Sequence, residues 1–249
     1  MKRILLILIA MFPFFSCGKK AALPYETDKI TAPEGGEVEI VFIKHGSLAI
    51  NYKDFHIQID PVSKQDGFNV DYSKFPKADL ILVTHDHFDH LDPDAVKALQ
   101  KGGTRILLPQ SSFEKLGSGE TVAEGDRIEV DELVTVDVVP AYNTTEDHMK
   151  FHPKGYRVGY VLTIGGLKVY VAGDTELIPE MAELADLQLD VAFLPVNQPY
   201  TMTVGQCLDA ARLIRPRILY PYHYSDTPVR QVADSLADSS VEVRIRQMQ

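Results

Sequence analysis

The chain reads as an α/β protein organised as a four-layer αββα sandwich, with two mixed sheets packed face to face and helices outside. Three observations predict this class. Each half opens with short, β-rich runs joined by tight turns. Each half then passes into apolar strands alternating with helical segments. Finally, the residues able to carry chemistry cluster just after strands, where open α/β sheets place their sites.

The first half begins with runs at 38–44, 47–52 and 55–60, a meander turned by His45-Gly46 and Lys53-Asp54. The apolar run Leu80-Ile81-Leu82-Val83 is the next strand, ending at Thr84. A helix follows over 93–101, with Asp92 as its cap, Pro93 in its first turn and Gly102-Gly103 as its stop. A strand at 105–109 and a short helix at 111–116 complete the half.

The second half repeats this order without sequence identity to the first. Strands are expected at 121–122, 126–130 and 133–140, then a hairpin of 157–164 and 167–172 closed by Gly165-Gly166. Helices at 176–187, 203–214 and 228–237 alternate with strands at 190–194, 217–220 and 241–245. No linker composition interrupts 38–249, so that span is expected to be one domain.

The N-terminus reads differently. Met1-Lys2-Arg3 is a positive start, and 4–15 is an almost unbroken apolar stretch, shorter than the roughly 20 residues of a membrane span. Phe15-Ser16-Cys17-Gly18 then resembles a bacterial lipobox, in a form without the usual leucine three residues before the cysteine. That resemblance implies a lipoprotein signal peptide over 1–16, lipidation of Cys17, and a location in the bacterial cell envelope, facing the periplasm or the surface. Residues 17–37, with Pro24, Pro33, Gly35 and Gly36, are expected to be a tether. With Cys17 lipidated, Cys207 alone remains and no intramolecular disulfide forms. The formal charge is −10, and −12 once Lys2 and Arg3 leave with the signal. Such a surface repels polyanions, and no basic run offsets it, which argues against a general nucleic-acid binder; the expected partner is a small-molecule substrate.

The chemistry concentrates in His85-Asp86-His87-Phe88-Asp89-His90, directly after the apolar strand. Three of the eight histidines lie here. Neutral imidazole and ionised carboxylate are ligands for zinc, iron and manganese, and crowding of this kind beside a buried strand is not explained by solvated surface. Three later strand ends carry comparable residues: Pro140-Ala141-Tyr142-Asn143, Gly173-Asp174-Thr175 and Tyr222-His223-Tyr224.

The order His85-x-His87-x-Asp89-His90, then Gly173-Asp174, then His223 resembles the metallo-β-lactamase-fold hydrolases. The likeness spans 38–245. Ile43-Lys44-His45-Gly46-Ser47, Ile59-Asp60-Pro61 and Tyr200-Thr201-Met202 make the branch similar to lactonase and phospholipase-like members rather than antibiotic-degrading ones. The resemblance implies the sandwich fold and one or two divalent ions, zinc before manganese or iron. His85 and His87 would bind one ion, Asp89 and His90 the other; Asp174 would bridge, and His223 would complete the second. Asp89 would also act on the nucleophile. Two such ions lower the pKa of a shared water and clamp the oxygens of a displacement, so the implied reaction is attack by metal-bound hydroxide on an ester, lactone or phosphodiester.

One departure stands out. The family's third imidazole on the first ion has no histidine in Pro140-Ala141-Tyr142-Asn143. Asn143 through its carbonyl, or His148 or His152 folding back, are the alternatives, with His152 first because Pro153-Lys154-Gly155 fixes a turn behind it. His45 and Tyr200 are expected at the pocket, and Asp60 behind a histidine ligand. Iron-dependent oxidoreductase chemistry, or a binding protein that has lost its chemistry, are the competing readings.

Overall fold

The structure, a computed structural model, describes residues 23–65 and 67–248. The signal segment, Cys17 and the start of the expected tether lie outside the described residues.

Residues 26–31 are not tether. They form β1 (Glu26–Thr31), which pairs antiparallel with β2 (Glu37–Lys44) so that Ile30 faces Val38. The glycines that suggested a linker instead make the turn between them: Gly35 and Gly36 both take positive φ, and Ala32 N donates to Gly36 O. Asp28 then ties this edge to the far end of the chain, accepting from Tyr220 Oη and from the guanidinium groups of Arg244 and Arg246. Leu23 and Tyr25 also pack on the first sheet's outer core, so the folded part includes described residues before 38.

The meander continues through β3 (Ser47–Tyr52) and β4 (Phe55–Ile59), and after a small hairpin, β5 (Lys64–Gln65) and β6 (Phe68–Asn69), the chain enters β7 (Leu80–Leu82). Helix α1 (Pro93–Leu99) starts as expected, with the Asp92 side chain accepting from Asp94 N. β8 (Arg105–Leu108), α2 (Gln110–Leu116) and β9 (Glu120–Thr121) follow. The first sheet has the order β1-β2-β3-β4-β7-β8-β9, antiparallel up to β4 and parallel from β4 onward. β9, expected in the second half, belongs here because Leu107 and Leu108 pair with Glu120 and Thr121.

The second sheet repeats the plan. β10 (Arg127–Glu129), β11 (Val134–Pro140), β12 (Val158–Ile164) and β13 (Leu167–Val171) are antiparallel neighbours. β14 (Val191–Pro195), β15 (Ile218–Tyr222) and β16 (Glu242–Val243) extend it in parallel. Three helices accompany it: α3 (Met181–Leu184), α4 (Val204–Ile214) and α5 (Arg230–Ser235). α4 begins in a capping box between Thr203 and Gln206. The helix expected over 176–187 shrinks to α3 and a 3-10 turn at Ala185–Leu187, because Pro179 interrupts its start and Glu176 is spent on a loop.

Alternation along the strands separates two apolar layers. Ile40, Phe42, Ile50 and Leu80 face Val136, Tyr160, Val169 and Phe193 between the sheets, whereas Val41, Ile43, Ile81 and Val83 pack outward on Ala95, Val96 and Leu99 of α1. A polar bond crosses the inner layer at its centre: the buried Tyr160 hydroxyl of the second sheet donates to Val83 O at 2.7 Å, just past the end of β7. Burial holds that phenol well above its ordinary pKa, so it remains a donor. Tyr160→Phe removes the donor while keeping the ring. We expect a loss of about 1–3 kcal/mol in urea-induced unfolding; an unchanged midpoint would show that the bond adds nothing.

Candidate metal centre

All of the chemistry lies at one edge of the sandwich, beyond the C-terminal ends of β4, β7, β13, β14 and β15. Asp174 is its hub. The carboxylate is buried and sits 3.2 Å from His152 Nε2, 3.3 Å from His223 Nε2, 3.4 Å from His90 Nε2 and 3.9 Å from His85 Nε2. Burial would raise its pKa, but the His223, His90 and His152 rings hold it well below the carboxylate range.

Hydrogen bonds on the far side of three rings decide which nitrogen turns inward. The buried Asp60 carboxylate accepts from Thr84 N and Thr84 Oγ1 and lies 2.7 Å from His90 Nδ1. Because the Thr84 hydroxyl gives its only proton to Asp60, it accepts from His85 Nδ1 at 3.0 Å. The Tyr200 carbonyl accepts from His152 Nδ1 at 2.8 Å. Each ring thereby presents Nε2 to the centre. These three Nε2 atoms, both His223 nitrogens and Asp174 Oδ1 are buried without a hydrogen-bond partner. Native interiors rarely leave so many polar atoms unpaired together. Divalent cations would satisfy the three Nε2 atoms, His223 Nε2 and the Asp174 oxygen, so the donor set fits them.

Three groups of atoms come within 4.8 Å of one another: His85, His87 and His152; His45, Asp89, His90 and His223; and His85, His90 and Asp174. The expected residues His85, His87, Asp89, His90, Asp174 and His223 are thus brought together. His152 joins them, and Asn143 stands behind it: its Nδ2 donates to Tyr200 O and His148 O and lies 3.3 Å from His152 Nδ1, its backbone N donates to His152 O, and its Oδ1 is buried without a partner. His148 is occupied by Glu176 at 2.8 Å.

His45 lies deeper than a pocket mouth. Its Nε2 is 3.2 Å from Asp89 Oδ2, and its ring lies on His223 with centroids 3.7 Å apart. Burial and His223 lower its pKa to about 4, so it is neutral. Burial opposes a charge on His90 too, yet Asp174, Asp60 and Asp89 override it and raise its pKa to about 10, so a cation arriving there would displace a proton. Asp89 is held far below the carboxylate range by the His90, His223 and His45 rings against the burial that would raise it. Gly46 leaves room for this packing, since a Cβ there would stand 2.7 Å from His90 Cε1.

The cluster opens into a cleft of about 370 Å³. Phe88, Phe151 and Tyr200 supply aromatic walls, with Phe151 and Tyr200 edge to face at 5.0 Å. Gln65, Asn197 and Ser225 supply uncharged polar groups, and among the described residues no lysine or arginine lines it.

Sequence reasoning missed Phe88, Phe151, Arg157 and Glu176 as parts of the site. Glu176, two residues past Asp174, is the least obvious. Its buried carboxylate accepts from Thr144 N, Thr145 N and Thr144 Oγ1, and so clamps the loop that brings His152 in.

Known proteins share this sequence pattern and fold. A profile for the beta-lactamase superfamily domain matches residues 39–223. The chain belongs to that superfamily. Within it, the chain is 32% identical over 199 residues to a UPF0173 metal-dependent hydrolase of Pyrococcus furiosus, covering 77% of this chain and 86% of the relative. The crystal structure of a candidate metal-dependent hydrolase from Parabacteroides distasonis is 50% identical, with a TM-score of 0.86 over 90% of this chain and 100% of that one. Igni18, a metallo hydrolase from Ignicoccus hospitalis, superposes with a TM-score of 0.72 at 26% identity, covering 85% and 95%. This superfamily member shares the metallo-β-lactamase sandwich with them.

Glu176 offers a test of the loop's support. Burial would raise its pKa, but the His148 ring and the Thr145 and Thr144 amides lower it from 4.5 to about 2. A depressed folded value means stability that is present above pH 4.5 and lost as pH falls toward about 2. Glu176→Gln should therefore cost about 1.5–3 kcal/mol at neutral pH, with the gap to the wild type narrowing through that acid window in denaturant titrations. A gap that does not change with pH would refute the assignment.

Proposed function

We propose that this protein is a hydrolase that holds one or two divalent cations and cleaves a neutral ester or lactone bearing an apolar group. The observation that carries the reading is the convergence of buried, unpartnered imidazole and carboxylate atoms on Asp174. His85, His87 and His152 would hold one ion and Asp89, His90 and His223 the other, with His45 in reach of the second and Asp174 between them. The imidazole-rich donor set favours zinc, with iron or manganese as the other candidates. When bound, the ions supply an acidified water and polarise the bond under attack.

The chain's own residues do the rest. Asp89, ionised at any working pH, accepts a hydrogen bond from the attacking water and orients it toward the cleft. Neutral His45 donates to Asp89 and keeps that carboxylate aimed. Phe88, Phe151 and Tyr200 hold the apolar group and exclude water around the reacting carbonyl. Gln65, Asn197 and Ser225 are available to its polar atoms. A phosphodiester, also compatible with the fold, would bring a charge that no basic side chain in the cleft answers.

Asp174→Ala should lose both bound metal and turnover, read by elemental analysis beside hydrolysis assays. Full activity in that variant would sink the reading. Across a substrate panel, lactones and esters with apolar chains should exceed phosphodiesters by at least about tenfold in kcat/KM, equivalent to roughly 1.4 kcal/mol. The reverse order would overturn the substrate class, and redox turnover with bound iron would favour an oxidoreductase instead.

We also propose attachment to the bacterial envelope through lipidated Cys17, supported by the charged start, the apolar run and Ser16-Cys17. Intact mass of membrane-extracted protein should show cleavage before Cys17 and added acyl chains. An unmodified soluble product would contradict this.

A further inference from the structure

Arg157, immediately before β12, has no counterpart among the expected ligands or their supports. The residue is 9% exposed, and its Nη2 lies 2.6 Å from His87 Nε2. The neighbouring backbone fixes it there, since Val158 N donates to Thr84 O, one residue before His85. A guanidinium has only donors, so the contact requires His87 Nε2 to offer its lone pair. A neutral imidazole then carries its proton on Nδ1, and neither nitrogen is free for a cation.

The alternative arrangement fares no better. Were Nδ1 to face an ion, Nε2 would carry the proton and point it at a guanidinium N–H. His85, His90 and His152 differ in kind. The far nitrogen of each meets an oxygen, from Thr84, Asp60 and Tyr200 respectively, and that oxygen fixes Nε2 inward. His87 alone is backed by a cation.

Resting on the two-ion reading above, we propose that Arg157 is a positioning residue that makes the His85–His87–His152 subsite the weaker and later filled of the two, and that Arg157 must leave His87 for that subsite to load. Among the described residues, the second subsite has no side-chain cation seated on a ligand nitrogen; its cost is the proton that His90 releases to solvent as the ion binds. Space for the movement exists, because Arg157 also lines a separate cavity of about 710 Å³ with Ser111 and Tyr156. Asp86 and Asp174 are the acidic groups that face the guanidinium. Ser111 already bonds to the Asp86 carboxylate, which leaves that residue near the cavity as the acceptor for a displaced arginine.

The test is a titration of chelator-treated protein with cobalt(II), followed by calorimetry and by the visible ligand-field bands of each bound ion. The wild type should bind two ions with dissociation constants at least about tenfold apart. Arg157→Gln provides an amide oxygen that can accept from His87, and Arg157→Met removes the charge while filling the space. Both should tighten the second constant by about 10–100-fold, the range typical of outer partners of metal ligands, and leave the first unchanged. Two equal constants in the wild type, or an unaltered second constant in both variants, would overturn the proposal alone. Failure of the wild type to bind any cation would overturn it together with the hydrolase reading. Thermal unfolding of the chelator-treated variants checks that each is folded.

Discussion

One buried carboxylate organises this molecule. Asp174 lies within 3.4 Å of three imidazole nitrogens, in an interior where an unpaired charge is very costly. The rings that surround it come from distant places: the loop after β7, the loop after β11 and the end of β15. They can only meet if both sheets end at the same edge and if the loops between them are held. Much of the polar structure serves that condition. Asp60 and Thr84 fix the rings from the first sheet, Glu176 clamps the loop carrying His152, and Tyr160 joins the sheets behind them.

The two sheets share a plan, and the plan places the acids. In each, four antiparallel strands give way to parallel ones, at β4 in the first and at β13 in the second. Asp60 follows β4, and Asp174 lies just beyond β13. These are the positions where the chain leaves an antiparallel neighbour and must cross to a parallel one, so its loop is drawn to the C-terminal edge. Equivalent places have different work. Asp60 accepts three hydrogen bonds and never faces the cleft, whereas Asp174 keeps an oxygen unpaired.

This explains how far the residues could be read in advance. The hexapeptide from His85, Asp174 and His223 were legible because short polar clusters after apolar strands are local patterns. His152 was legible only as one of several alternatives, since it reaches the site through Glu176 and the carbonyl of Tyr200, contacts that no spacing reveals. β1 was hidden for another reason. Its glycines and prolines resemble a linker, but they flank the strand, and its partners in β2 and at Arg244 and Arg246 are set by packing. Phe88 and Phe151 look like ordinary loop aromatics until the fold turns them toward one cleft. Arg157 sits where the sequence predicts a strand to open, a place where a charged residue is usually solvated; its role depends on which nitrogen of His87 it meets.

The backbone carries the remaining constraint. His45, Asp60 and His223 all adopt positive φ, at 52°, 45° and 49°. Side chains other than glycine rarely do so, and such conformations cost about 1–3 kcal/mol each when the surroundings must hold them. Three of them at one site, each with a side chain directed at the centre or at a ligand, mean that the aim of these groups is enforced rather than sampled. The force comes from the apolar layers on either face of the first sheet and between the two sheets, which leave the strand ends no freedom to relax. Placing imidazoles before any cation arrives removes an ordering cost from binding, so the strain in the loops and the rigidity of the sheets are two sides of the same preorganisation.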